Sequence, residues 1–372
     1  MTTIDSTTPT TTAAAEALAE RLFGSMVAAF DMQSVYLGDR LGYYRALADA
    51  DGPLTSGELA VRTGTVERYA REWLEQQAVT GFLTVADEPP DDAPDHALHR
   101  RFALPAGHAE VFTDELSPNH LVPLARLLCG VGKQLPALLE AYRSGGGVSW
   151  AQQGDDAREA QAAANRPLFL GTLGQEYLPS IPDIDAALRG GGRLADVGCG
   201  VGWSSIGIAL AYPDATVDGY DVDAPSIEAA RRNAAESGVA DRVRFHLADV
   251  ATLTDSGGYD VVTAFECVHD LPDPVGVLSA VRALAGETGT VLVMDERVAE
   301  TFTAPGDETE RLMYGYSLMC CLPDGMAHPP SAGTGTVMRP DTLRRYAVDA
   351  GFAGIDILDV EDMLFRFYRL AR

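Results

Sequence analysis

Cations are scarce in this 372-residue chain: 28 Lys and Arg, of which Lys133 is the single lysine, face 54 Asp and Glu, a formal net charge of −26 at pH 7. Such a surface repels phosphate backbones and anionic lipid, which excludes nucleic acid and membrane partners unless a local basic patch exists. The lone lysine reads as compositional bias rather than function. No apolar run reaches the roughly 18 to 20 residues of a membrane span. The first twenty residues lack a cationic start followed by an apolar stretch, so no secretory signal is expected and a cytoplasmic location is. Cysteine is sparse too: 129, 199, 267, 320 and 321, an odd number with no CxxC pair. That excludes a disulfide framework, points to reduced thiols, and leaves no metal expected. No internal repeat is visible. What remains is an ordinary globular composition, 46% hydrophobic and 22% charged, with length for about two domains of ~150 residues.

The first dozen residues, 1–12, are Thr-rich and are expected to form a disordered tail. Residues 13–120 follow as a mainly helical domain. Apolar residues at helical spacing (Leu22, Met26, Phe30, then Val35, Leu41, Leu47) predict two amphipathic helices. Thr55 or Ser56 caps a short helix that Gly64 ends in the left-handed conformation; a second helix runs to about Val79, and Gly81 to Val85 is a short strand. Helix, tight turn, helix, strand is the pattern of a winged-helix module, with Glu88 to Asp95 as wing tip or loop. Its charge disfavours a DNA-binding role. Residues 1–110 hold 17 acidic and 8 basic side chains, and the helix that would read DNA sets Arg68 and Arg71 against Glu67, Glu72 and Glu75. Residues 121–189 read as a helical linker and lid.

From residue 190 to 372 the texture changes to short apolar runs alternating with helical patterns. Seven strands are predicted: Arg193–Val197, Thr216–Tyr220, Val243–Leu247, Asp260–Phe265, Thr290–Met294, Gly354–Leu358 and Phe365–Leu370. The expected fold class is α/β, a mostly parallel doubly wound sheet with the last strand antiparallel. The first strand runs into Asp196-Val-Gly198-Cys-Gly200-Val-Gly202-Trp203, glycines that let the chain turn sharply and let a ligand approach the main chain. A dinucleotide fingerprint would need glycine at 203. The second strand ends at Asp221, 19 residues beyond Gly202, followed by Val222; the third ends at Asp249 and Val250; the fourth runs to Phe265 and Glu266. A carboxylate at 221 can accept from both ribose hydroxyls, and one at 249 from an exocyclic adenine amine. All lie at the carboxyl ends of consecutive strands, where open α/β sheets bind ligands.

In these motifs residues 190–372 resemble a class I S-adenosylmethionine-dependent methyltransferase with a Rossmann-like sheet. The front half is similar to the winged-helix dimerisation domain of small-molecule O-methyltransferases. The resemblance implies S-adenosyl-L-methionine as cofactor, Asp196 and the glycine loop on its methionine end, Asp221 and Val222 at the ribose, Asp249 and Val250 at the adenine, and Phe265 lining the cleft. Phenolic O-methyltransferases often carry a basic or polar group at that last place. It further implies a homodimer through the N-terminal domain and a small-molecule acceptor.

A sulfonium already activates its methyl group, so methylating a hydroxyl demands alignment and a base. His269, in Glu266-Cys-Val-His-Asp-Leu-Pro-Asp273, sits just past the fourth strand. In the enzymes it resembles the histidine of such a run is the general base; packing or capping of the next helix is the rival role. Asp295 and Glu296 could orient His269 or meet a substrate amine, and His328, in the insertion after the fifth strand, could contact substrate. That insertion, 300–339, is rich in Met, Tyr and Cys, which suits an apolar, flat, aromatic or polyketide-like secondary metabolite. Three functions stay open: an O-methyltransferase; an N- or C-methyltransferase or a non-methylating enzyme on the same fold; a ligand-responsive winged-helix regulator.

Overall fold

The computed structural model describes residues 11–87, 95–253 and 258–372. Ten residues of the expected tail and most of the expected wing tip (88–94) lie outside them, while Thr11 and Thr12 open a helix. The chain divides into two compact units, one ending at Cys129 and the other starting at Gly130.

The first unit is built from helices α1 (Thr11–Arg40), α2 (Tyr43–Ala48), α3 (Ser56–Thr63) and α4 (Glu67–Thr80), with strands β1 (Thr84–Asp87) and β2 (Arg101–Ala103) paired antiparallel. Thr55 and Glu58 form a capping box that starts α3, because each side chain satisfies the other's orphan amide. Gly64 closes the helix at φ 67°. The core collects Tyr43, Tyr44, Leu59, Trp73, Leu74 and Phe102. On α4, Arg68 meets Glu72 at 2.5 Å, Arg71 meets Glu67 at 3.3 Å, and Arg100 meets Glu75 at 2.6 Å. Arg68 and Arg71 of this helix thus each pair with an acid of the same helix. Along α1, Leu22, Phe23, Met26 and Phe30 recur at helical spacing, and each is 48–63% exposed.

The second unit holds the sheet. Strands β3 (Arg193–Val197), β4 (Thr216–Asp221), β5 (Val243–Leu247), β6 (Val261–Phe265), β7 (Thr290–Glu296), β8 (Gly354–Ile357) and β9 (Phe365–Ala371) lie in the order β5-β4-β3-β6-β7-β9-β8. All seven expected strands form within two residues of their expected ends. β9 is antiparallel to both β7 and β8, and the other pairs are parallel. Alternation along β6 sends Val261 and Phe265 into one core and Val262 and Ala264 into another. Both faces are therefore covered, which is why these strands read as continuous apolar runs. Among the described residues no helix is long and apolar enough to cross a membrane.

The expected boundary at 189/190 does not hold as a structural division. Phe169, Leu173, Leu178, Ile184 and Leu188 join Leu194, Ile206 and Val261 in one buried cluster, so the second half of the expected lid is core of the sheet unit. Phe169 and Leu173 lie in a π-helical segment, Leu168–Tyr177, packed on helix Trp203–Ala211, and Ile184 and Leu188 lie in helix Pro182–Arg189. Burying side chains of this size contributes ~2 kcal/mol each, more than a detachable lid would retain.

Candidate active site

The strand order reverses between β3 and β6, and the glycine elbow after β3 sits at that switch point, where open α/β sheets place ligands. Gly198, Gly200 and Gly202 have φ of 72°, 50° and 85°. A Cβ at 202 would lie 2.5 Å from the Phe245 ring, and one at 198 would lie 2.8 Å from both Cβ and Sγ of Cys267. Glycine is needed there for conformation and for space.

Two carboxylates hold the elbow. Asp196, 1% exposed, accepts hydrogen bonds from Ser204 Oγ at 2.6 Å, Ser205 Oγ at 2.7 Å and Thr263 Oγ1 at 2.8 Å. Burial pushes its pKa up while the three hydroxyls pull it down, and burial wins. Its side chain is a brace joining β3, β6 and the helix after the elbow, all of its hydrogen bonds going to side chains of the fold. Asp221, at the end of β4, accepts from Gly200 N and Asp223 N, both at 2.8 Å. Burial raises its pKa against those amides. Val222 beside it is 71% exposed. Asp249 is exposed and caps the turn Val250–Thr252 by accepting from Ala251 N at 2.9 Å, with Val250 packed beneath. The elbow, Asp221 and Asp249 thus stand at the carboxyl ends of the adjacent strands β3, β4 and β5.

Two expected residues are placed elsewhere. Phe265 is 5% exposed and stacks on Phe169, ring centroids 6.0 Å apart. Strand alternation turns it into the core, away from the cleft. His328 is exposed, which does not suit a group pressed against an acceptor. Of the insertion's sulfur-bearing residues, Met313, Cys320 and Met338 are buried, whereas Met319, Cys321 and Met326 are half-buried, as is Tyr316.

Glu266, next to Phe265, went unremarked as a site residue although its position in the motif was visible. It has φ 51°, a left-handed conformation that costs a non-glycine residue ~1 kcal/mol. Burial pushes its carboxyl up to about 8, against the pull of Asn165 and the His269 charge. Its Oε2 accepts from Gln161 Nε2 at 3.3 Å. Its Oε1 is sealed from solvent and has no hydrogen-bond partner among the described residues.

His269 is 2% exposed. Its Nδ1 donates to Asp295 Oδ1 at 2.7 Å and lies 3.0 Å from Glu296 Oε2; its Nε2 lies 3.2 Å from Asp270 Oδ1. Burial opposes the imidazolium, but Asp270, Asp295 and Glu296 together outweigh it and hold the proton well above the usual histidine range. Burial also opposes the Asp295 charge, yet His269 keeps that carboxyl low. Glu296 is pushed well above its usual value by burial, despite the opposing pull of His269. Asp295 is therefore the charged member of the pair. The expected association of His269 with Asp295 and Glu296 is present in the fold. Ligand-type atoms of His269, Asp270 and Cys321, and of His269, Asp295 and Glu296, fall within 4.8 Å of one another.

Helix Asp155–Pro167 spans these strand ends as a strap. Arg158 clasps Asp223 in two hydrogen bonds, 2.7 and 3.2 Å, Gln161 reaches Glu266, and the Arg166 guanidinium lies 4.6 Å from the Trp203 ring centroid. Spacing of three to five residues puts the three on one helix face. The strap was legible as a polar helix; its anchors, distant in sequence, were not.

Residues 188–322 match the family described as a methyltransferase domain. A ubiquinone biosynthesis O-methyltransferase of Bordetella bronchiseptica is 40% identical over 101 residues, 27% of this chain and 41% of that protein. The chain thus spans less than half the length of this curated relative. Among solved structures, an O-methyltransferase family protein from Burkholderia thailandensis superposes with a TM-score of 0.65 at 18% identity, covering 98% of this chain and 99% of its own. Human N-acetylserotonin methyltransferase, solved with S-adenosylmethionine, does so with 0.68 at 15% identity over 95% and 97%. At these identities the structural likeness is one of fold.

The His269 cluster makes stability depend on pH in a defined direction. Because the folded imidazole holds its proton above the unfolded value of 6.5, its contribution is complete below about pH 6.5 and fades as pH rises through the folded pKa. The melting temperature of His269→Gln should fall further below wild type at pH 6 than at pH 10. Equal deficits at the two pH values would contradict the charged imidazole.

Proposed function

With residues 188–322 a methyltransferase domain of class I fold, we propose that the chain is an S-adenosylmethionine-dependent methyltransferase that methylates a hydroxyl of a small metabolite. The observation that carries this is the elbow: three left-handed glycines at the sheet's switch point, braced from beneath by Asp196 and tied by Asp221. The residues fit the cofactor on two counts. The elbow's glycines carry no side chain, and a Cβ on Gly200 would stand in open space, while Glu266 Oε1 is a buried acceptor without a hydrogen-bond partner among the described residues. The elbow's backbone and Asp221 would hold the nucleoside and its ribose, and Asp249 and Val250 the adenine. When bound, S-adenosylmethionine supplies a methyl group activated on a sulfonium.

The chain's own residues handle the proton. Asp295 fixes the imidazole by accepting from Nδ1, which leaves Nε2 as the atom to take a hydroxyl proton. In the free protein the surrounding carboxylates keep that atom protonated, so base action begins with loss of the Nε2 proton. The half-buried Tyr316, Met319 and Met326 give the insertion an adaptable apolar surface for a flat acceptor. The exposed apolar stripe of α1 supports self-association into a homodimer. The paired cations of α4 weigh against a DNA-binding regulator.

Three outcomes test this reading. Calorimetry should show wild type binding S-adenosylmethionine and Asp221→Ala losing about 2 kcal/mol, since charge-assisted hydrogen bonds disappear; undiminished affinity would remove Asp221 from the ribose. His269→Ala should abolish turnover while keeping cofactor affinity within a few-fold, and the wild-type rate should climb with pH above the ordinary histidine range. Full turnover without His269 would end its role as base. Sedimentation equilibrium should return a dimer for wild type and a monomer for Leu22→Asp/Phe30→Asp, and a monomeric wild type would refute the dimer.

A further inference from the structure

We propose that Glu266 is the residue that takes the α-ammonium group of the cofactor's amino-acid half. The proposal rests on the S-adenosylmethionine reading and supplies a contact which that reading otherwise lacks. The acid that the glycine motif offers for this end, Asp196, is already engaged by Ser204, Ser205 and Thr263 in a site 1% exposed. Asp221 is occupied on the other flank by the amides of Gly200 and Asp223. An ammonium needs three acceptors at close range, and its charge beside the buried Glu266 carboxyl draws off that group's proton and leaves a carboxylate, the strongest of them.

Glu266 stands where such an acceptor is required. It follows directly on β6, which pairs with β3 up to Val197↔Ala264, so the turn after β6 runs beside the elbow after β3. The contact is close: a Cβ on Gly198 would collide with Cys267, the next residue. From above, Gln161 of the strap helix holds Glu266 Oε2. Oε1, shielded from solvent, finds no donor among the described residues, and a buried polar atom of that kind is costly unless a ligand completes it. The backbone is consistent with that role. A left-handed non-glycine residue at the rim of a binding cleft persists when its side chain is needed there.

The test compares three ligands on wild type, Glu266→Gln and Glu266→Gly by calorimetry: S-adenosylmethionine, S-adenosylhomocysteine, and 5′-methylthioadenosine, which has no amino-acid half. Glycine suits φ 51°, so Glu266→Gly keeps the experiment decisive if the glutamine variant folds poorly. Both variants should bind the first two ligands at least tenfold more weakly than wild type, and methylthioadenosine within twofold. Affinities for S-adenosylhomocysteine within twofold of wild type would overturn the assignment. A loss confined to S-adenosylmethionine would overturn it as well, because only the sulfonium distinguishes that ligand. Wild type that binds none of the three would instead refute the cofactor reading itself.

Discussion

One buried carboxylate organises the sheet unit. Asp196 sits at the end of β3 with almost no exposure and gathers three hydroxyls, two from the first turn of the following helix and one from the neighbouring strand β6. A charge taken out of water is tolerable only when its lone pairs are met, so the three elements can move apart only by uncovering it. The elbow between them inherits that rigidity. Asp221 adds a second tie from β4 through the Gly200 amide, the Gly198 and Gly202 amides donate to the Tyr220 and Cys199 carbonyls, and the elbow's backbone is thereby fixed in one arrangement before any ligand arrives. Preorganisation of this kind lowers the ordering cost of binding.

The opposite rim of the cleft follows a different electrostatic logic. There one imidazole is enclosed by Asp270, Asp295 and Glu296, and the cluster's protonation is shared unequally because two carboxylates at the same nitrogen cannot both ionise at low cost. In the proposed function the braced elbow takes the nucleoside, and the acid-rich rim is where positive charge is welcome and a proton is moved. The strap helix joins the two, with Arg158 on the Asp221–Asp223 side and Gln161 on the Glu266 side. A chain with net charge −26 thus concentrates part of its acidity where the chemistry proposed for it deals with cations.

The sheet was readable from the chain because its signal is local: apolar runs of strand length, bounded by glycine and acid, recur between helical stretches, and burial on both faces leaves no polar residue to blur them. The elbow and Asp221 were readable for the same reason, being one motif and one strand end. The chain is silent where side-chain direction or distant contact decides. Phe265 and Glu266 are neighbours, and only the pleat of β6 and the turn after it determine that the phenyl ring goes to the core and the carboxyl to Gln161 of the strap helix. Asp196 lies in the expected motif, yet its hydroxyl partners at 204, 205 and 263 make it a brace. His328 has a residue type suited to chemistry and a place on the surface. Segment 168–189 looked like a lid, since its role as core depends on Ile206 and Val261, which lie well beyond it in the chain.

By itself the sequence determined the fold class, the strand sequence, the glycine elbow and the candidacy of His269, because period, glycine spacing and strand-end acids are properties of neighbouring residues. Only the tertiary structure decided which acids are spent and which are free to meet a ligand. That distinction depends on hydroxyls, amides and an imidazole brought within 3 Å from segments far apart in the chain, and hydrogen bonding at that range has no signature along it.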